Sequence, residues 1–105
     1  MSGSGGGGWR DEPSNSCLTL WQQTTLNSPV AAVVANLAIG DILTIRTRQA
    51  GVAIVVEAVH KGKTAGSITS SIIQRLAQCM TEGHEYIAVV LDVQEAACRV
   101  QIRHK

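Results

Sequence analysis

Between residues 42 and 103 the chain is a series of short apolar runs. Three turns separate them: Gln49-Ala50-Gly51, His60-Lys61-Gly62-Lys63 and Gln94-Glu95-Ala96. This constrains the fold more than any other feature. Strands joined by so few residues must pair antiparallel, because a parallel return needs a crossover of about a dozen residues or more. Side chains along each strand then alternate between the two faces of a sheet. In the run 42–48, Thr44, Arg46 and Arg48 share one face. In the run 97–103, Cys98, Val100 and Ile102 share one face and Arg99, Gln101 and Arg103 take the other.

The same pattern supplies the other elements. Strands are predicted over 17–26, 42–48, 52–59, 64–68, 85–93 and 97–103, and helices over 30–37 and 70–82. The run 52–59 is almost continuously apolar and reads as a central strand. Asn27-Ser28-Pro29 is a helix-start signal, with Ser28 as cap and Pro29 in the first helical position. Thr69, Ser70 or Ser71 would cap the second helix, and Gly83 would end it in the left-handed conformation. With no Phe, and only Trp9, Trp21 and Tyr86 as aromatics, the core must be built from Val, Ile, Leu and Ala. Such material suits a pleated sheet. The expected fold is α+β: a small twisted, mostly antiparallel sheet, or a partly open β-barrel of five to six strands with two helices. The second helix would lie over one end.

At 105 residues the chain is the size of one domain, which we place at 17–105. Residues 1–16 read as a disordered Gly/Ser-rich leader, with Trp9 after four glycines as a candidate partner anchor.

Cys17, Cys79 and Cys98 are odd in number, widely spaced and set among apolar neighbours. They read as buried reduced thiols. With no secretory pattern at the start, this leads to an expected cytoplasmic location. The longest apolar run, 30–39, contains Asn36 and is too short to span a bilayer. His60, His84 and His104 lack the spacing of a metal motif and read as exposed turn residues, so neither a metal nor another cofactor is expected. The hydroxyls at 67–71 have no nucleophile-elbow pattern. Glu57, Asp92 and Glu95 lie on separate elements. Gly62-Lys63-Thr64 lacks the upstream glycine of a phosphate loop. Asp41, following Gly40, would bond local backbone. A catalyst is not expected.

Nine Lys and Arg stand against eight Asp and Glu, a net charge of +1. That balance gives no general attraction to nucleic acid or to a membrane. Charge is unevenly placed, however. If the strands 42–48 and 97–103 lie near each other, Arg46, Arg48, Arg99 and Arg103 form a basic sheet face, with Lys61 and Lys63 at its rim. Arginine favours carboxylate and phosphate through bidentate contacts. A protein partner is ranked first. Nucleic acid comes second, because sequence-tolerant binders of single strands use several aromatic platforms.

Leu37-Ala38-Ile39-Gly40-Asp41-Ile42-Leu43, the hairpin strand VAIVVEAV, the segment Ala65-Gly66-Ser67-Ile68, the helix ending at Gly83 and the strand YIAVVLDV together have the layout of a known family. In this order the chain resembles the HIRAN domain from Leu37 to Val93. That family is a small barrel related to OB and SH3-like folds, which in DNA-remodelling proteins binds the end of single-stranded DNA. The resemblance implies a barrel and a single-stranded DNA ligand. The family's acidic, asparagine-rich segment corresponds here to Arg46-Thr47-Arg48-Gln49-Ala50-Gly51, which contains neither Asn nor Asp. The leader and overall pattern also look like those of small bacterial proteins.

Overall fold

Each of the three short turns closes a β-hairpin. The computed structural model describes residues 17–105, so the leader and Trp9 lie outside the described residues. Its elements are β1 Trp21–Thr25, α1 Ala31–Val34, β2 Ile42–Ala50, β3 Ala53–His60, β4 Lys63–Ile68, α2 Ile73–Thr81, β5 Tyr86–Gln94 and β6 Ala97–His104. At the β3–β4 turn Lys61 and Gly62 both have positive φ, 51° and 82°. Two such residues in succession match the right-handed twist of the flanking strands. Gly51, at φ 64°, turns β2 into β3.

The strands form one antiparallel sheet in the order β1-β6-β5-β2-β3-β4. Residues 17–19 are helical, so the described residues contain three helices where two were expected, and the strand predicted from Cys17 begins only at Trp21. The run 52–59 is not central either. β5 and β2 hold the middle, and β3 lies next to the edge strand β4.

No continuous strand pairing closes the sheet, but its two edges are fastened by backbone. After β1, Leu26 donates to the Cys98 carbonyl on β6 (2.9 Å). The next residue, Asn27, exchanges two hydrogen bonds of 2.8 Å with Ser67 on β4, and Val30 N–H reaches the Ala65 carbonyl at 2.8 Å. The close approach depends on Gly66, where a Cβ would lie 3.0 Å from Leu26 Cβ and 3.1 Å from the Asn27 carbonyl oxygen.

The inner side of the sheet is apolar. Leu43 and Ile45 of β2, Val56 and Ala58 of β3, Ala88 and Val90 of β5, and Val100 and Ile102 of β6 are all buried. Onto this side α2 presents Leu76 and Cys79, both fully buried. Removing a side chain such as Leu76 from water stabilises by about 1.5–3 kcal/mol. Gly83, at φ 104°, ends α2 as expected: its N–H bonds the Met80 carbonyl and the His84 N–H bonds the Cys79 carbonyl, both at 3.1 Å. This pair of bonds is a Schellman motif.

The helix starts depart from the sequence reading. α1 is one turn beginning at Ala31, with Val30 at the cap position and no side-chain cap bond, while Ser28 adopts φ 48° to steer the chain toward β4. α2 begins behind Ile72, also without a side-chain cap.

The cysteines require the largest correction. Cys17 and Cys79 form a disulfide, with Cα atoms 5.7 Å apart, and only Cys98 is a free, buried thiol. The disulfide ties residues 17–19 to α2. Tyr86, the largest fully buried side chain, secures the same segment by donating its hydroxyl to the Cys17 carbonyl (2.6 Å). Burial pushes the Tyr86 phenol above its usual pKa. Among the described residues no helix is long and apolar enough to cross a membrane.

Candidate functional site

Directly opposed residues in an antiparallel sheet point to the same side, so the register maps the outer face. One row crosses all six strands: Trp21, Arg103, Ile87, Thr44, Val59 and Thr64. A neighbouring row runs Gln23, Gln101, Val89 and Ile42. The centre of this face is apolar. Ile87 and Val89 are half-buried, while Trp21 and Ile42 are each 58% exposed.

The arginines flank this centre. Arg46 and Arg48 lie farther along β2 on the outer side; Arg99 and Arg103 lie on β6. The two strands are not neighbours, because β5 runs between them; they lie about 10 Å apart where β2 pairs β5, at Ile42–Thr44, and Arg46 and Arg48 are beyond that stretch. The four arginines do share one face, but as two pairs with Ile87 and Val89 between them.

The two pairs differ electrostatically. Arg46 is directly opposite Glu57 on β3. Its Nε donates to Glu57 Oε1 at 3.2 Å and its Nη2 to the Thr64 hydroxyl at 3.0 Å, while Arg48 Nε donates to Glu57 Oε2 at 3.0 Å. Burial alone would raise the Glu57 pKa. The hydrogen bonds from Arg48 and Arg46, together with their charges, outweigh it and hold the carboxyl below its ordinary 4.5. One carboxylate thus fixes two guanidinium groups and offsets half of their charge. Glu57 was not singled out from sequence as part of a binding face.

On β6, Arg99 Nη2 donates to the neutral amide oxygen of Gln23 at 3.0 Å, and its opposed carboxylate on β5 is Asp92. Arg103 stands between Trp21 and Ile87 and borders an open cleft of ≈ 360 Å³ with Leu18, Trp21 and His104. Lys61 and Lys63 do not join this surface. They line a different cleft, of ≈ 470 Å³, with Val33, Asn36 and His60.

The histidines are not isolated turn residues. His60 is half-buried with Nε2 3.9 Å from Asp41 Oδ2, and Asp41 also accepts the Ala38 N–H at 3.0 Å, the local bond expected of it. His84 and His104 are both half-buried and meet at 3.0 Å, Nδ1 to Nε2. The third aromatic ring at this spot is Tyr86, edge-on to His104 with centroids 5.2 Å apart.

Comparison of the chain with protein-family models, with curated proteins and with solved structures finds no match.

Proposed function

We propose that this domain is a non-catalytic binding module whose outer sheet face receives a polypeptide segment combining aliphatic and acidic side chains. The observation that carries this reading is the row Trp21–Arg103–Ile87 beside Ile42. There, apolar side chains stand exposed next to Arg103, to which no carboxylate among the described residues is bound. Interface centres are enriched in aromatic residues and Arg, and such residues most often dominate binding energy. Four arginines against Glu57 and Asp92 leave the face a formal +2, which suits an acidic partner. Glu57 preorganises Arg46 and Arg48, lowering the entropy cost of presenting them.

A single-stranded nucleic acid, which the HIRAN resemblance implies, is the second reading, favoured by Trp21 standing beside Arg103. It has little to stack on: Tyr86 is 1% exposed, leaving Trp21 as the one accessible Trp or Tyr among the described residues. Stacking contributes about 1–3 kcal/mol per base, and one platform with a +2 face would bind weakly at cellular salt.

The location expected from reduced thiols loses that support with the Cys17–Cys79 bond. A disulfide persists in oxidising compartments and is usually transient in the cytosol.

The test is panning of a random displayed-peptide library on the intact oxidised chain, followed by fluorescence anisotropy of enriched peptides and of labelled oligo-dT at low and physiological salt. Enriched sequences should pair Asp or Glu with aliphatic residues and lose binding to the R99E/R103E variant. Failure to enrich any sequence, or tighter binding of oligo-dT than of the best peptide, would overturn the reading.

A further inference from the structure

At the C-terminal end of α2, four potential ligand groups come together, three from residues 79–84 and the fourth from the remote Cys17. Cys17 Sγ, a carboxylate oxygen of Glu82 and a ring nitrogen of His84 lie within 4.8 Å of one another, and Cys79 Sγ is bonded to Cys17. The fold builds this cluster for identifiable reasons. Cys79 is fully buried on α2, and the left-handed Gly83 reverses the backbone so that the His84 N–H returns to the Cys79 carbonyl. Tyr86 holds the Cys17 backbone through its hydroxyl.

His104 supplies an outer layer. Its Nδ1 lies 3.0 Å from the Lys105 carbonyl oxygen, to which it can only donate, so its Nε2 is left as an acceptor for the His84 Nδ1–H at 3.0 Å. Histidine ligands commonly donate their second nitrogen in this manner, which fixes the tautomer and orients the ring.

We propose that Cys17, Cys79, Glu82 and His84 form a zinc site that opens on reduction of the disulfide, with His104 as the positioning residue for His84. In the oxidised chain both sulfurs are engaged in the S–S bond and offer no thiolate. A dithiol reductant breaks that bond: two electrons and two protons pass to Cys17 and Cys79, and the reductant's own sulfurs become a disulfide. Zinc then displaces the two thiol protons. Two thiolates, an imidazole and a carboxylate are a donor set that tetrahedral Zn²⁺ accepts, with Zn–S near 2.3 Å and Zn–N near 2.0–2.1 Å. Thiolate content also selects against Mg²⁺ and Ca²⁺. Opening the sulfurs from a covalent bond to the edge of such a tetrahedron moves them apart by about 2 Å. Cys98 does not compete: burial, then Asp92, push its thiol above the usual pKa, and it lies on β6, facing the core.

The experiment is zinc titration against a colorimetric chelator, run on the oxidised chain and on the same chain reduced by a phosphine and freed of reductant. Circular dichroism monitors the fold of both. The reduced chain should take up one equivalent of zinc and the oxidised chain none. The C98S variant should match wild type. H84A should lose the site, and H104A should weaken it by about ten- to a hundredfold. With cobalt in place of zinc, thiolate-to-metal charge-transfer bands should appear only after reduction. Equal zinc uptake before and after reduction, or full uptake by H84A, would overturn the proposal. So would a reduced chain that remains folded without binding. If reduction unfolds the chain, zinc should restore the native dichroism, and a failure to restore it counts equally against the site.

Discussion

Replacing Glu57 by Gln tests the electrostatic structure of the outer face most directly. The Glu57 side chain is 8% exposed, whereas those of Arg46 and Arg48 are 48% and 52% exposed. A hydrogen bond to a charged group contributes about 1.5–3 kcal/mol when well buried, and an exposed ion pair about 0–1. With one partner buried and the other half in water, each bond should contribute about 1 kcal/mol. Gln keeps the volume and one acceptor but loses the charge, so E57Q should cost about 2 kcal/mol, or a fall in Tm of about 10 °C for a domain of this size. The sign with pH is fixed by the direction of the Glu57 shift. A carboxyl held below 4.5 in the folded state contributes stability above its unfolded value and loses it as pH falls through the folded value. The gap between wild type and E57Q should therefore be full at neutral pH and close in acid. Urea unfolding of both proteins at pH 7 and about pH 3 measures it. A gap below about 0.5 kcal/mol at neutral pH, or one that persists unchanged in acid, would refute the assignment. The same variant raises the face from a formal +2 to +3, so an acidic peptide should bind E57Q more tightly and with steeper salt dependence.

Two other perturbations address the fold. Gly66→Ala drives a methyl against Leu26 and the Asn27 carbonyl, and should destabilise by about 1–3 kcal/mol, read as a lower urea midpoint with increased hydrogen exchange at Asn27 and Ser67. Reducing the Cys17–Cys79 bond, whose sequence separation is 62, relaxes a loop whose closure is valued at about 4 kcal/mol on the chain-entropy account; thermal melts of the metal-free chain with and without reductant should differ by well over 10 °C.

The sheet was legible in the sequence because period-two alternation and short turns determine it almost alone. The pairing of Arg46 with Glu57 was not, because a turn at Gln49-Ala50-Gly51 would set Arg46 against Ile54. The turn lies instead at residues 51 and 52, between Ala50 and Ala53, which puts 46 against 57; a glutamate inside VAIVVEAV reads from sequence only as an interruption of a core strand. The order of strands was not legible. Nothing local says that β5 separates β2 from β6, so the arginines were placed in one patch when they form two pairs. The helix starts were misread because Ser28 and Ser70 look like caps, yet the chain uses Ser28 to turn toward β4, and Ser70 Oγ is buried with no partner among the described residues. The disulfide and the histidine pair were beyond reach for a related reason. Cys17, Cys79, His84 and His104 meet through tertiary geometry, and an odd cysteine count with no short motif gives no hint of which two pair.

The fastening of β1 has a consequence for how the chain is made. Trp21 finds its ladder partner only at Arg103, so during synthesis the first strand emerges long before the strand it must join. Until then its backbone groups face water, and no hairpin can shelter them. Closing so long a loop is entropically expensive and belongs late in folding. The five later strands can assemble as hairpins while β1 waits, and the ring of contacts from β6 through Asn27 to β4 is completed last.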